Sequence, residues 1–115
     1  MDRGFDTTDL QRPSSVEVEA RDGATVLTLY GELDHWMATF VRRRFGDLEG
    51  DVDVDCSGLT FMDCAGVNLL SEMNQRCRAR RAKLTVVNPP RCVTRLLGLT
   101  GVDGVLDIRC WVSGR

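Results

Sequence analysis

No apolar stretch in the 115 residues approaches the run of about eighteen that a membrane-spanning helix needs. The opening Met1-Asp2-Arg3-Gly4-Phe5-Asp6 is acidic and has no apolar core, so it does not read as a signal peptide, and the expected location is the cytoplasm. Five cysteines (Cys56, Cys64, Cys77, Cys92, Cys110) are odd in number, irregularly spaced and without a C-x-x-C pair, and only one histidine accompanies them. Neither a zinc site nor a disulfide framework is expected from that set, and most of the thiols read as small core residues. The glycine-bearing turns fit neither G-x-G-x-x-G nor a Walker loop, which removes support for a nucleotide site. No cofactor and no metal are expected. Net charge is scarce as well: 15 Lys and Arg against 17 Asp and Glu leave −2, too little for a strong pull on nucleic acid. Internal repeats and low-complexity segments are absent.

With 43% hydrophobic and 28% charged residues, the composition is that of one globular domain, long enough to bury roughly two-thirds of its unfolded surface without a covalent staple. Residues 1–14 are polar, aperiodic and end near Pro13, which predicts a flexible leader; residues 15–112 form the domain and 113–115 a tail. Charge is unevenly distributed. From Gly46 to Gln75 there are seven acids and no base, whereas from Arg76 to Val102 there are seven bases and no acid. Arg76, Arg78, Arg80 and Arg81 read first as complements to a helix C-terminus, with steering of a charged partner as the sharper alternative.

Val16-Glu17-Val18-Glu19-Ala20 alternates as a half-exposed strand does, and Arg21-Asp22-Gly23-Ala24 turns the chain into a second strand that Gly31 should break. Asp34 caps a first helix with an apolar stripe at Met37, Phe40, Val41, Phe45 and Leu48. Val52, Val54 and Cys56 alternate with acids as a third strand; residues 57–62 read as a connector and 64–81 as a second helix, which Asp63 is placed to cap. Residues 84–88 give a fourth strand. Pro89-Pro90 opens a third helix that Gly101 ends, and residues 105–108 give a short last strand. Strand and helix alternate after the hairpin, so an α/β fold follows: a mixed, mostly parallel sheet of about five strands. Glu17, Glu19, Thr28, Asp53 and Thr85 fall on the polar side of their strands, which places the helices mainly on the other face.

The turns Gly31-Glu32-Leu33-Asp34-His35 and Phe61-Met62-Asp63-Cys64-Ala65-Gly66 should leave the sheet on one rim, where open α/β sheets usually bind their ligands. Gly66, in the first turn of its helix, suggests a close approach by another backbone, while Gly58 serves a turn. Val67, Asn68 and Ser71 share one side of that helix.

These turns, together with Asp55-Cys56-Ser57-Gly58-Leu59-Thr60, Val87-Asn88-Pro89-Pro90 and Leu96-Leu97-Gly98-Leu99-Thr100-Gly101, resemble STAS domains of the anti-sigma factor antagonist type, from about Val16 to Leu106. The resemblance implies a STAS-like fold and a non-enzymatic protein that binds an anti-sigma factor of the serine-kinase type and so releases a sigma factor to RNA polymerase. It also implies that phosphorylation of a serine just after the aspartate of a D-S-x-G turn abolishes binding, and that assembly into a larger signalling complex is open to it. At that position this chain has Cys64. Ser57, Thr60 and Ser71 are nearby hydroxyls, but none matches the acceptor position. The expected partner contacts are Asp34, His35, Asp63, Cys64, Val67, Asn68 and Ser71.

Two other readings use the same rim. A helix N-terminus favours a thiolate at Cys64 while the Asp63 carboxylate opposes it, and oxidation of Cys64, or its pairing with Cys56, would gate binding. A thiol enzyme would use His35 as base to Cys64 with Asp34 orienting it, but Asp34 is better explained as a cap and no Gly-rich oxyanion loop is evident; His35 and Trp36 read instead as partner contacts or as helix-start packing.

Overall fold

The hairpin at the start of the chain is built on a two-residue turn. β1 (Ser15–Arg21) pairs antiparallel with β2 (Ala24–Leu33), and the connecting Asp22 and Gly23 both take positive φ, 52° and 81°, as the tight turns that match strand twist require. In this computed structural model residues 14–45 and 48–110 are described. Of the leader expected at 1–14 only Ser14 is described, its Oγ accepting from the Glu32 N–H at 3.0 Å, and the tail expected at 113–115 lies outside the described residues.

Gly31 does not end β2. The strand runs on to Leu33, and Gly31, at φ 83°, sits between two register shifts where β2 meets its parallel neighbour β3 (Asp51–Met62). These irregularities let both strands continue past the point where alternation fails. The expected connector at 57–62 is therefore strand, with Tyr30 paired to Gly58, Glu32 to Phe61 and Leu33 to Met62. Buried Cys56, Leu59 and Met62 recur every third residue there, which conceals the strand from a period-two reading. Gly58 is more than a turn residue: a Cβ on it would lie 2.5 Å from Tyr30 Cδ1 and 3.0 Å from the Leu29 carbonyl oxygen. Only glycine lets the tyrosine ring lie across the strand at this point.

α1 (His35–Phe45) follows β2, α2 (Cys64–Ala79) follows β3, and α3 (Arg91–Thr100) follows β4 (Leu84–Val87). A 3₁₀ turn, Val102–Gly104, leads into β5 (Asp107–Arg109), two residues later than expected, because Val105 is exposed in the turn and Leu106 is buried in the core. Gly101 closes α3 in the left-handed conformation at φ 78°. The sheet order is β1-β2-β3-β4-β5, antiparallel at the first pair and parallel thereafter.

A single apolar cluster holds the fold together. Leu27, Leu29, Val52, Val54, Leu84 and Val86 supply the sheet's share, and all three helices contribute to the same cluster, so they pack on one face. β4, between β3 and β5, is buried along its whole length; Thr85 pairs with Asp53 and so shares the face away from the helices, as expected, but its place inside the sheet leaves it buried. Asp53 does lie on the opposite side from the helices, and partial burial together with the neighbouring Asp51 pushes its carboxyl up against the opposing pull of Arg21 and Lys83. The α1 stripe is also narrower than expected: Met37, Ala38 and Val41 are buried, but Phe40 points outward.

Candidate functional site

Two helix caps stand side by side on the rim where β2 and β3 end. Leu33 and Met62 are register partners, so the next residues, Asp34 and Asp63, emerge together, and the Asp63 N–H donates to the Leu33 carbonyl at 3.4 Å. Asp34 caps α1, its Oδ1 accepting from the Met37 N–H at 3.1 Å. Asp63 caps α2 from an extended backbone (φ −117°, ψ −169°), its Oδ1 accepting from the Ala65 N–H at 2.9 Å. Each carboxylate therefore satisfies an amide that its helix would otherwise leave unpaired. Asp63→Ala is expected to lower stability by about 1 kcal/mol and to fray the first turn of α2, read as faster amide exchange at Ala65 and Gly66.

Cys64 is the first residue of α2 and is exposed. Its outward neighbours one and two turns on are Asn68, exposed, and Ser71, half-buried. Val67 does not join them. It is buried in the apolar cluster beside Leu70, because the core-facing arc of α2 includes both, and it leaves the set of candidate contacts. Gly66 is also explained differently from the sequence reading: side chains rather than a backbone approach it, and an added Cβ would lie 2.6 Å from Met62 Cγ and 2.9 Å from Leu33 Cγ. Thr60 spends its hydroxyl on the Gly31 carbonyl at 3.2 Å.

His35 is exposed and lies edge-on to Trp36, with ring centroids 6.4 Å apart. Trp36, which the sequence leaves open as a partner contact or helix-start packing, is exposed. Two groups missed by sequence reasoning also border the site: Phe61 is exposed, and Glu72 binds Arg42 of α1 at 2.6 Å.

The cysteines divide two to three. Cys56 and Cys77 are buried, whereas Cys64, Cys92 and Cys110 are exposed, which corrects the expectation that most are core residues. Burial, with a smaller contribution from Asp55, pushes the Cys56 thiol up to about 12. Burial also raises the Cys77 thiol, against the guanidinium of Arg80. Among the described residues no three His, Cys, Asp or Glu side chains gather into a metal-ligand set, and no helix is long and apolar enough to cross a membrane. Arg76 and Arg78 occupy the last turn of α2, as a helix C-terminus favours.

A family model described as "Mlab, STAS domain" matches residues 16–108, and the chain belongs to the STAS domain family. Over 59 residues it is 37% identical to Rv2638 of Mycobacterium tuberculosis, a protein provisionally described as an anti-anti-sigma factor; the match covers 51% of this chain and 40% of that protein. The fold is shared with the Bacillus cell fate determinant SpoIIAA, an anti-sigma factor antagonist. Its unphosphorylated form superposes with a TM-score of 0.74 at 21% identity, covering 86% of this chain and 90% of that one. The phosphorylated form gives 0.70 at 20% identity, covering 86% and 93%.

Proposed function

We propose that this chain is an anti-sigma factor antagonist: a non-catalytic module that docks on an anti-sigma factor of the serine-kinase type in the cytoplasm and so releases a sigma factor. The docking face is the rim made by Asp34, His35, Asp63 and Cys64, continued along α2 by Asn68 and Ser71. One observation carries the reading. Cys64 is exposed immediately after a capping aspartate, at the place that corresponds by motif to the phosphoserine of the antagonists this chain resembles. A thiol there leaves docking possible and takes ordinary serine phosphorylation away. The antagonist named among its relatives and the fold shared with SpoIIAA support the same assignment.

A switch based on a Cys56–Cys64 disulfide has no comparable support, since Cys56 is wholly buried and its thiol is held far from the thiolate form. Catalysis by His35 and Cys64 lacks its orienting acid, because Asp34 is engaged in capping α1.

Asn68→Arg tests the docking face without touching the core. Against the anti-sigma factor of the host, measured by calorimetry, the substitution is expected to weaken binding about tenfold or more, equivalent to about 1.4 kcal/mol. Unchanged affinity would take α2 out of the interface.

A further inference from the structure

The outward face of α1 combines features that the fold does not use. Trp36 is 80% exposed and Phe40 45%, and Arg43 and Arg44 are exposed on the same side. α1 contains no acid, although the chain as a whole carries −2, so this surface is a local reversal of charge. Arg42 is occupied by Glu72 on α2. Among the described residues Arg43 and Arg44 have no acidic partner; instead the Arg44 guanidinium lies 5.8 Å from the centroids of both the Phe40 and Phe45 rings, which themselves meet edge to face. Stacking holds that cation in place before any partner arrives, which lowers the ordering cost of using it.

We infer that this face of α1 is a second part of the docking surface, and that it takes an acidic patch of the partner protein with an apolar seat for Trp36. The inference rests on the docking reading above and names the chemistry of the surface that must meet it. Tryptophan and arginine are the residues that most often carry binding energy at protein interfaces, and Trp36, 80% exposed, buries almost none of its ring in the monomer. The face is continuous with the rim: α1 starts at His35, and the Arg42–Glu72 pair ties its flank to the outward side of α2. A protein fits this surface better than an anionic membrane does. On α1 the exposed large apolar side chains are Trp36 and Phe40, too few to anchor a helix in lipid, and Glu32, Asp34 and Asp63 at the rim would be pressed against lipid phosphates.

The test compares four proteins for binding to the anti-sigma factor that the natural chain binds: natural, Trp36→Ala, Arg43→Glu with Arg44→Glu, and Asn68→Arg. All the changed side chains are exposed, and thermal midpoints confirm that each variant folds. Trp36→Ala is expected to weaken binding on the order of tenfold, and the double charge reversal by tenfold or more with a shallower dependence on salt. If Asn68→Arg weakens binding while both α1 variants bind within twofold of the natural chain, the inference falls and the docking reading stands. If the natural chain binds no anti-sigma factor of its host, both fall. Sedimentation of the natural chain, but not of the α1 variants, with phosphatidylserine-containing vesicles would assign the face to a membrane and overturn the inference.

Discussion

Gly66→Val is expected to lower the unfolding free energy by about 2–3 kcal/mol and the thermal midpoint by roughly 10–15 °C. The first carbon added at this position lies 2.6 Å from Met62 Cγ and 2.9 Å from Leu33 Cγ. Both are mid-chain atoms of residues buried at the ends of their strands, so neither can swing clear as an exposed side-chain tip would. Removing a helical glycine returns at most about 1 kcal/mol of helix propensity, which the overlap outweighs. Gly66→Ala is accordingly milder, with propensity gain and crowding opposed. The effect also reaches function, because Leu33 and Met62 immediately precede the two capping aspartates. Pushing them apart moves Asp34 relative to Asp63, so Gly66→Val should weaken partner binding even at temperatures where it remains folded. A thermal midpoint equal to that of the natural chain would show that the rim is not braced through this contact.

The elements with strong periodicity are legible in the sequence. The Asp22-Gly23 turn, both aspartate caps, the start of α3 after Pro90 and its end at Gly101 all follow from local chemistry, and the alternation of strand and helix was enough for the parallel order. What escaped notice was set by neighbours. The second half of β3 is strand because β2 supplies a partner across two register shifts, although its buried residues fall at intervals of three. Thr85 is polar by composition and buried by position in a strand flanked on both sides. Val67 looked like a surface residue beside Asn68, since one helical position separates them, but the arc that faces the sheet includes one and excludes the other. The capping at the rim is legible in the sequence, and Trp36 reads there as a partner contact or as helix-start packing; the exposure of Phe61 is not legible, because an apolar residue in a sequence is read first as core.

Cys64→Ser is expected to turn an unmodified protein into a kinase substrate. The hydroxyl would stand where the thiol now stands, exposed at the start of α2 and one residue past the carboxylate that caps it. Phosphate there adds about −1.5 to −2 charges beside Asp63 and inside the proposed docking face, where like charge and the cost of desolvating the phosphate should weaken binding on the order of 100-fold. In the absence of ATP the same variant should bind as the natural chain does, because serine and cysteine differ little in size and the cap is untouched.

The decisive measurement is therefore made on the natural chain and Cys64→Ser in parallel, each incubated with ATP and the serine-kinase anti-sigma factor of the host, then followed by intact mass and by affinity. The expected result is one phosphate on the variant with loss of binding, and no phosphate on the natural chain with binding retained. Phosphorylation of the natural chain accompanied by release from its partner would contradict the assignment, since control would then act through a group other than the one at position 64.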